Sequence, residues 1–237
     1  MRAPRPLGVL GGMGPLATAR FYEALVRATP ARVDQDHIRT VIWSDPAIPD
    51  RTAAILGHGP SPVPAMLAGA RQLRRLGARV IATPCNTAHR YLPEVSRIAR
   101  VKMIDMVDET LSRASLTGSS SAAILGTRGT RAARLYDSAA ERHGLRIAYP
   151  TEREQTDLID RAILLVKEGR SLKEAETLIA LAASAAQAAG ADVVVAACTE
   201  IPLVMATAAA SVTMIDSIDC LAAACVRVLR PALLAAA

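Results

Sequence analysis

The stretch Ala82-Thr83-Pro84-Cys85-Asn86-Thr87-Ala88-His89 has a counterpart 113 residues later (198 − 85), in Ala196-Ala197-Cys198-Thr199-Glu200-Ile201. Each stretch follows a short apolar run of the kind that forms a buried strand. Each then places a cysteine, followed by a threonine or an Asn-Thr pair, where a helix is expected to begin. The chain therefore predicts two similar strand-to-helix turns, each with a thiol at the carboxyl end of its strand.

The two cysteines of these turns are the first candidates for chemistry. A thiol at a helix start meets unpaired N–H groups and the positive end of the helix dipole. This setting predicts a pKa lowered from about 8.5 towards neutrality for Cys85 and Cys198. A single cysteine is more often a small buried apolar residue, but two at equivalent strand ends favour an acid/base pair facing one cleft. Cys220 and Cys225 lie in an apolar final helix, and we expect them in the core.

Two further pairs of matching segments indicate an internal repeat. Leu10-Gly11 matches Leu125-Gly126 at an offset of 115 residues (125 − 10), and VKMIDMVD at 101–108 matches VTMIDSID at 212–219 at an offset of 111 residues (212 − 101). Together with the cysteine turns, these matches keep one order and nearly one offset. A doubled α/β unit explains that pattern.

Strands alternate with helices in both halves, which predicts an α/β fold with a mainly parallel sheet in each. We expect two similar parallel-sheet domains related by a pseudo-two-fold, with the active site in the cleft between them at the carboxyl ends of the strands. The predicted first domain contains residues 1–106 plus 217–237, and the second contains residues 107–216. In this division the final helix returns to pack on the first half.

Glycine-rich turns follow the first strand of each half. Gly12-Met13-Gly14-Pro15-Leu16-Ala17 fits the G-x-G-x-x-A dinucleotide pattern, but Pro15 has no N–H for a pyrophosphate and strand two does not end on an acidic residue. We interpret it as a tight turn or a carboxylate nest, with Met13 as an apolar wall. Gly126-Thr127-Arg128-Gly129-Thr130 is either a second nest or a simple turn.

The long stretch 44–64 is rich in Pro and Gly and is predicted to be a loop. It carries Arg51, and loops of this length in compact domains are usually functional or mobile. From composition alone neither Arg51 nor Lys167 would be distinguished from solvated surface cations. After Cys85 a helix is predicted to continue to about residue 100.

Composition and net charge exclude several functional classes for this protein. The 237 residues are 51% hydrophobic and only 3% aromatic, with a net charge of +6. Nucleic acids are often bound by aromatic side chains that stack on the bases. Because this chain has few of them, we expect no nucleic-acid partner. No apolar run reaches the roughly 18 residues of a membrane span, and no signal peptide is visible. Four cysteines without CxxC spacing favour a reducing cytoplasm, and His37, His58 and His143 show no metal-ligand spacing.

Five segments in this order resemble the aspartate/glutamate racemase superfamily, most closely its aspartate racemase branch. The segments span nearly the whole chain and are Gly11-Gly12-Met13-Gly14-Pro15, Ile48-Pro49-Asp50-Arg51-Thr52, Pro84-Cys85-Asn86-Thr87-Ala88-His89, Leu125-Gly126-Thr127 and Cys198-Thr199-Glu200. The two cysteine motifs are specific when they occur together, whereas the Gly turns are not. The glutamate racemase branch carries an acidic residue in its first Gly turn, where this chain has Gly12-Met13.

The resemblance implies racemisation of a small acidic amino acid, aspartate above all and glutamate as a further substrate, with no pyridoxal phosphate, other cofactor or metal, in a cytoplasmic homodimer. Cys85 and Cys198 would be the two bases. Arg51 and Lys167 would receive a side-chain carboxylate. The implied substrate-binding set as a whole is Met13, Arg51, Asn86, Thr87, Ala88, Thr127, Lys167, Thr199 and Glu200. Of these, Asn86, Thr87, Thr127 and Thr199 would hold the α-carboxylate or the ammonium group.

Two alternatives and two side-chain roles stay open at this point. One alternative keeps the fold and makes the protein a cysteine-dependent isomerase or decarboxylase of a small dicarboxylate. The other is a non-catalytic protein that binds acidic amino acids. His89 is placed either to face Cys85 or to support packing, and Glu200 either assists the Cys198 thiol or favours the helix start.

Overall fold

The computed structural model describes residues 5–230 and contains two four-stranded parallel sheets. The first has the order β2-β1-β3-β4 and the second the order β6-β5-β7-β8. The strands are β1 Leu7–Gly11, β2 Thr40–Ser44, β3 Val80–Ala82, β4 Lys102–Met103, β5 Ser121–Gly126, β6 Arg146–Ala148, β7 Val193–Ala197 and β8 Met214–Asp216. Because the second order repeats the first four strands later, the doubled parallel-sheet α/β unit predicted from the sequence is confirmed.

Helices follow the strands in both halves. They are α1 Pro15–Ala28, α2 Arg51–Ile55, α3 Val63–Arg75, α4 Leu92–Ala99, α5 Met106–Ser115, α6 Arg128–Ala132, α7 Asp137–His143, α8 Glu152–Glu154, α9 Arg161–Lys167, α10 Leu172–Ala188, α11 Ala206–Ala209 and α12 Ser217–Leu229. A π-helical segment, Gln155–Asp160, joins α8 to α9, and short 3₁₀ turns occupy Asp34–Asp36, Thr87–Arg90 and Ile201–Leu203.

The segments after both cysteines differ from the predicted helices. Only a 3₁₀ turn follows Cys85, and α4 begins afterwards with Pro93 in its first turn. Proline has no N–H to donate to the carbonyl four residues earlier, so one continuous helix cannot cross this point. After Cys198 the proline comes earlier, because Pro202 lies within the 3₁₀ turn itself. The stretch predicted to be one long loop, 44–64, contains the short helix α2.

The Met-Ile-Asp repeat marks equivalent helix starts. Asp105 accepts hydrogen bonds from the N–H groups of Val107 and Asp108 at the start of α5. Asp216 accepts from Ile218 and Asp219 at the start of α12, at 2.7 Å and 3.3 Å. An Asp at this position satisfies backbone donors that would otherwise be unpaired. The repeated triplet therefore encodes the same strand-to-helix turn twice.

Helices α5 and α12 run between the two halves. Buried side chains of α12, such as Leu221 and Cys225, share one apolar cluster with Leu7 and Phe21 of the first half. Helix α5 adds Met106 to that cluster and Leu111 to a cluster of the second half. This packing agrees with a final helix that returns to the first half.

The division into residues 1–106 plus 217–237 and residues 107–216 stays a prediction, and its ends, 1–4 and 231–237, lie outside the described residues. Of the two cysteines expected in the core, Cys225 is fully buried and Cys220 is half-buried. Between residues 5 and 230, each helix is too short or too polar to cross a bilayer.

Candidate active site

The carboxyl ends of β3 and β7 carry the two candidate thiols to one small cavity between the sheets. Its lining residues are Met13, Asp50, Arg51, Thr52, Cys85, Asn86, Thr87, Thr127, Lys167, Cys198, Thr199 and Glu200. The cavity volume is about 20 Å³, which is room for about one water molecule. The cleft is therefore closed in this structure.

Nearly all of the residues predicted for the site line this cavity. The remaining one, Ala88, is fully buried, and its backbone N–H acts to lower the pKa of the Cys85 thiol. Asp50 and Thr52 were missed, although they flank Arg51 in one of the segments that carry the resemblance. They enter the site because α2 begins at Arg51 and presents this turn to the cleft.

Cys85 lies beside a cation. Its side chain is 6% exposed, and burial raises the pKa of the thiol. The positive charge of Arg51 and the backbone N–H of Ala88 act in the opposite direction. The charge of the Glu200 carboxylate raises this pKa further.

Cys198 lies beside an anion. Its thiol donates a hydrogen bond to Oε2 of Glu200 at 2.9 Å. Burial, then the charge of Glu200 and this hydrogen bond, raise the pKa of Cys198 well above its ordinary value. The positive charge of Lys167 opposes the shift. A carboxylate that accepts the thiol hydrogen stabilises the protonated form of this cysteine.

The prediction that both thiols have lowered pKa values is wrong in direction for both. Helix starts lower a thiol pKa only where unpaired N–H groups outweigh the loss of hydration, and here burial is the largest cause of the shift. The 3₁₀ turns after Cys85 and Cys198 are also too short to supply the dipole of a full helix. The structure instead makes the two thiols unequal.

His89 supports the Cys85 loop through the backbone. Its Nδ1 lies 2.9 Å from the carbonyl oxygen of Cys85, and its Nε2 accepts from the N–H of Met106 at 3.0 Å. This pattern requires a neutral ring with the proton on Nδ1. Burial lowers the pKa of His89, which agrees with the neutral form. Both ring nitrogens are therefore engaged away from the thiol.

Threonine hydroxyls join the two halves at the edge of the cavity. Oγ1 of Thr87 lies 2.9 Å from Oγ1 of Thr127, and Thr52 donates to the same atom at 3.3 Å. Thr127 also caps α6 by accepting from the N–H of Thr130. Thr52, Thr87 and Thr127 all line the cavity, so a ligand that enters it meets hydroxyls from both halves.

Arg51 carries an unused buried donor. Its Nη1 donates to the carbonyl oxygens of Ile48 and Pro49, both at 3.0 Å. Its Nε is buried and has no hydrogen-bond partner within residues 5–230. Lys167 reaches the same cavity from an exposed position at the end of α9. Two cations in a small cleft favour a ligand with carboxylate groups.

The two Gly turns are tight strand-to-helix connections. Gly12 has φ of 89°, and a Cβ there would lie 2.3 Å from the backbone nitrogen of Asp45, so only glycine fits. Its N–H is already bonded to Thr18, which favours the turn over a free nest, while Met13 is a buried wall of the cavity. In the second turn, the guanidinium of Arg128 is turned to Asp160, at 2.6 Å, and away from the cavity.

Within residues 5–230 no group of three or more His, Cys, Asp or Glu side chains is arranged to hold a metal ion. The hydrogen-bonding groups of the cavity are thiols, hydroxyls, an amide and four charged side chains. Such a set suits a small zwitterion with carboxylates, and two thiols suit the transfer of a proton.

Residues 10–225 match the family model described as Asp/Glu/Hydantoin racemase. The chain belongs to this family. It is therefore an amino-acid racemase, an isomerase that inverts the configuration of an amino acid.

Named relatives agree with this assignment. The chain is 28% identical over 221 residues to the broad specificity amino-acid racemase RacX of Bacillus subtilis, covering 91% of this chain and 94% of that protein. The structure of Picrophilus torridus aspartate racemase is 31% identical, with a TM-score of 0.85 and coverage of 95% of this chain and 94% of that one. A glutamate racemase of Francisella tularensis shares the fold at 17% identity, with a TM-score of 0.73 and coverage of 98% and 83%.

Proposed function

We propose that this racemase interconverts L- and D-aspartate by a two-base mechanism in which Cys85 and Cys198 are the bases. One observation carries the proposal, namely that both thiols line a single closed cavity, each supplied by the equivalent strand of its own half. Proton removal from one face of the α-carbon and delivery to the other needs two groups on opposite sides of the substrate.

The charges of the cavity support an acidic substrate. Aspartate brings two carboxylates and one ammonium group, and the cavity offers Arg51 and Lys167 against Glu200 and Asp50. The side chain of Asp50 is used as the cap of α2, accepting from the N–H of Ala53 at 2.7 Å. The unpaired Nε of Arg51 is a ready donor to a substrate carboxylate. The relative from Picrophilus torridus, named an aspartate racemase, points to the same substrate.

The unequal thiols define a starting state for the proposed mechanism. Arg51 and the N–H of Ala88 oppose the raised pKa of Cys85, whereas Glu200 holds the proton of Cys198, so Cys85 is the thiol that ionises first. In this state Cys85 removes the α-proton from one enantiomer and Cys198 donates its proton to the opposite face. The reverse reaction begins from the opposite protonation pattern. Each transfer forms one S–H bond and breaks one C–H bond, or the converse, so protons balance over a turnover.

Stabilisation of the carbanion-like transition state comes from fixed donors in a dry cavity. Hydroxyls of Thr87, Thr127 and Thr199 line the space beside the thiols. Preorganised donors of this kind, in a cavity closed to water, typically supply several kcal/mol to a charge that develops in the transition state. A cavity of about 20 Å³ is too small for aspartate, so binding requires the cleft to open and then to close around the substrate.

The experiment incubates L- and D-aspartate separately with the purified enzyme in D₂O under reducing conditions at neutral pH. Exchange of the α-proton is followed by NMR and formation of the other enantiomer by chiral chromatography. We expect both with either enantiomer. Cys85→Ser and Cys198→Ser should each abolish racemisation, and Cys225→Ser, which changes a thiol buried in the core outside the cavity, is the matched control.

Parallel incubations define the substrate class. Glutamate and a neutral amino acid are tested beside aspartate, because the relative from Bacillus subtilis is named a broad specificity racemase. Turnover of neutral amino acids with none of aspartate would refute the aspartate proposal and keep the two-cysteine chemistry. Racemisation that survives in both single cysteine variants would refute the two-base proposal.

We propose further that the reaction needs no pyridoxal phosphate and that the enzyme is a homodimer, both on the resemblance to aspartate racemases. Activity that is unchanged by dialysis against a carbonyl reagent and a chelator would support the first point. Sedimentation at several protein concentrations tests the second.

A further inference from the structure

A buried chain of hydrogen bonds connects the loops of the two cysteines through the interior. The hydroxyl of Tyr136 donates to Oδ1 of Asn86 at 2.5 Å, and Nδ2 of Asn86 donates to Oγ of Ser217 at 3.0 Å. Oγ of Ser217 then donates to the carbonyl oxygen of Ala196 at 2.7 Å. Asn86 directly follows Cys85, and Ala196 lies two residues before Cys198.

The chain crosses between the halves. Asn86 follows β3 of the first sheet, whereas Tyr136 precedes α7 and Ala196 lies in β7, both in the second half. Ser217 is the first residue of α12, which runs between the halves. The chain therefore ties the end of one cysteine-bearing strand to the end of the other.

Two members of the chain lie behind the cavity wall. Tyr136 and Ser217 are both 0% exposed, and Asn86 is 2% exposed. Polar groups this deep are stabilised only while their partners stay in place, because an unpaired buried donor or acceptor costs about 1–3 kcal/mol. A fully satisfied buried network of this kind imposes one geometry on the segments that it joins.

We propose that Tyr136 and Ser217 are positioning residues that act through Asn86 to hold the thiols of Cys85 and Cys198 in register across the cleft. This role rests on the proposed two-cysteine function. Neither residue touches the reacting atoms. Proton transfer between sulfur and carbon depends on near-attack distances, and a misplacement of about 1 Å can cost about 100-fold in rate.

The kinetic test uses Tyr136→Phe, Ser217→Ala and the double variant. Each single variant removes one hydroxyl of the chain without adding volume, and we expect a fall in kcat of about 10- to 100-fold with a nearly unchanged KM. Because both hydroxyls act through the same amide, the double variant should be no slower than the slower single variant. Independent structural damage would instead multiply the two effects.

A matched control is available in the same half. The hydroxyl of Tyr149 donates to Asp137 at 2.8 Å and takes no part in the chain. Tyr149→Phe therefore makes the same chemical change and should leave kcat within about twofold of wild type. Thermal unfolding of all variants is measured so that rates are compared well below each melting temperature.

A second readout does not require activity. The rate of alkylation of Cys85 by iodoacetamide is followed against pH by peptide mass spectrometry in Tyr136→Phe, Ser217→Ala and the control. Because burial is the main cause of the raised pKa of Cys85, a loosened loop should react faster and at a lower midpoint pH. A purely structural loss of stability leaves this profile of the folded protein unchanged.

The outcomes separate the two proposals. If wild type racemises no amino acid, the proposed function fails, and the alkylation profile alone decides whether the chain positions Cys85. A profile and a kcat for both variants that match those of Tyr149→Phe overturn the positioning role, whatever the substrate. Multiplicative losses in the double variant overturn it as well.

Discussion

Glu200 is the residue that makes the two thiols unequal. Its carboxylate accepts the hydrogen of Cys198 at 2.9 Å and, through its charge, also raises the pKa of Cys85. Sequence patterns left its role open, because a glutamate two residues after a cysteine also favours a helix start. Only the fold places this carboxylate within the same cavity as both sulfurs.

Replacement of Glu200 by Gln should move the whole pH profile of racemisation to lower pH. The negative charge raises the pKa of both thiols, so its removal lets Cys85 lose its proton at lower pH and lets Cys198 lose its proton at lower pH too. Both limbs of kcat/KM against pH should shift in the same direction. We also expect kcat at neutral pH to fall about 10-fold, since the thiol of Cys198 exchanges a charged acceptor for a neutral amide.

The measurement is kcat/KM for each enantiomer across the stable pH range. The control is Glu168→Gln, which removes one negative charge from an exposed side chain next to Lys167. It reports the effect of a changed net charge that does not act through the thiols. A profile for Glu200→Gln that coincides with that of the control would mean that Glu200 does not act on the thiols.

At the scale of elements, the cleft closes where α2 meets α6. Gly129 of α6 packs directly on Thr52 of α2, and a Cβ at this glycine would lie 2.8 Å from Oγ1 and 2.9 Å from Cα of Thr52. The same Cβ would be 3.0 Å from Cγ2 of Thr87. Glycine is therefore required here by close approach of two helices from opposite halves.

Gly129→Ala should hold the cleft partly open. Overpacking at a tight contact costs about 1–3 kcal/mol, and an extra Cβ here pushes α2 and α6 apart at the edge of the cavity, so kcat/KM should fall roughly 10-fold or more. The unfolding midpoint should change little if the open form is stable. Ala132→Ser, on an exposed face of the same helix, is the comparison. Wild-type kinetics in Gly129→Ala would show that the contact does not gate the site.

The start of α12 carries a buried charge with a pH-dependent cost. Burial, and then the charge of Asp219, raise the pKa of Asp216 to about 6 from its ordinary value of 3.8, while Arg20 opposes the shift at 3.4 Å. The folded protein thus holds this proton more tightly than the unfolded chain. The stabilisation that comes from this bound proton is fully present below about pH 4 and is lost as the pH rises through about 6.

Asp216→Asn should remove that part of the pH dependence. Asn still caps the helix but does not titrate, so the difference in free energy of unfolding between variant and wild type should change on the order of 3 kcal/mol between pH 4 and pH 7. The stability of the variant relative to wild type should therefore increase as the pH rises. Urea unfolding at several pH values measures this difference, and a difference that stays constant with pH contradicts the prediction.

At the scale of the whole molecule, α5 and α12 couple the two halves. Leu221 of α12 is fully buried against the first half, while α5 contributes to apolar clusters of both halves. Neither half can release these helices without exposing apolar side chains of the other. We therefore expect the two sheets to unfold together.

Leu221→Ala should test this coupling. Trp43, the single tryptophan, lies in β2 and reports on the first half, whereas circular dichroism reports on both. The variant should lose about 2–5 kcal/mol, with the two probes keeping one common transition. Leu116→Ala, at a side chain that is 76% exposed, is the control. Loss of the tryptophan signal ahead of the dichroism signal would show that the halves unfold separately.

The sequence by itself determined the repeat and the strand ends that carry the two cysteines, and its resemblance to a known family supplied nearly all of the other cavity residues. The repeated Met-Ile-Asp triplets stand at both capped helix starts, because a cap is a signal that is local in the chain. The two cysteine motifs identified their strand ends for the same reason.

Only the tertiary structure decided the direction of the thiol pKa shifts, the entry of Asp50 and Thr52 into the site, and the chain from Tyr136 to Ala196. Each depends on burial or on a contact between segments that are far apart in the sequence. Burial exceeds the local effect of a helix start on Cys85 and Cys198 because loss of hydration is set by all surrounding segments together. A linear pattern records which groups are present, whereas desolvation and partners exist only once the two halves have packed.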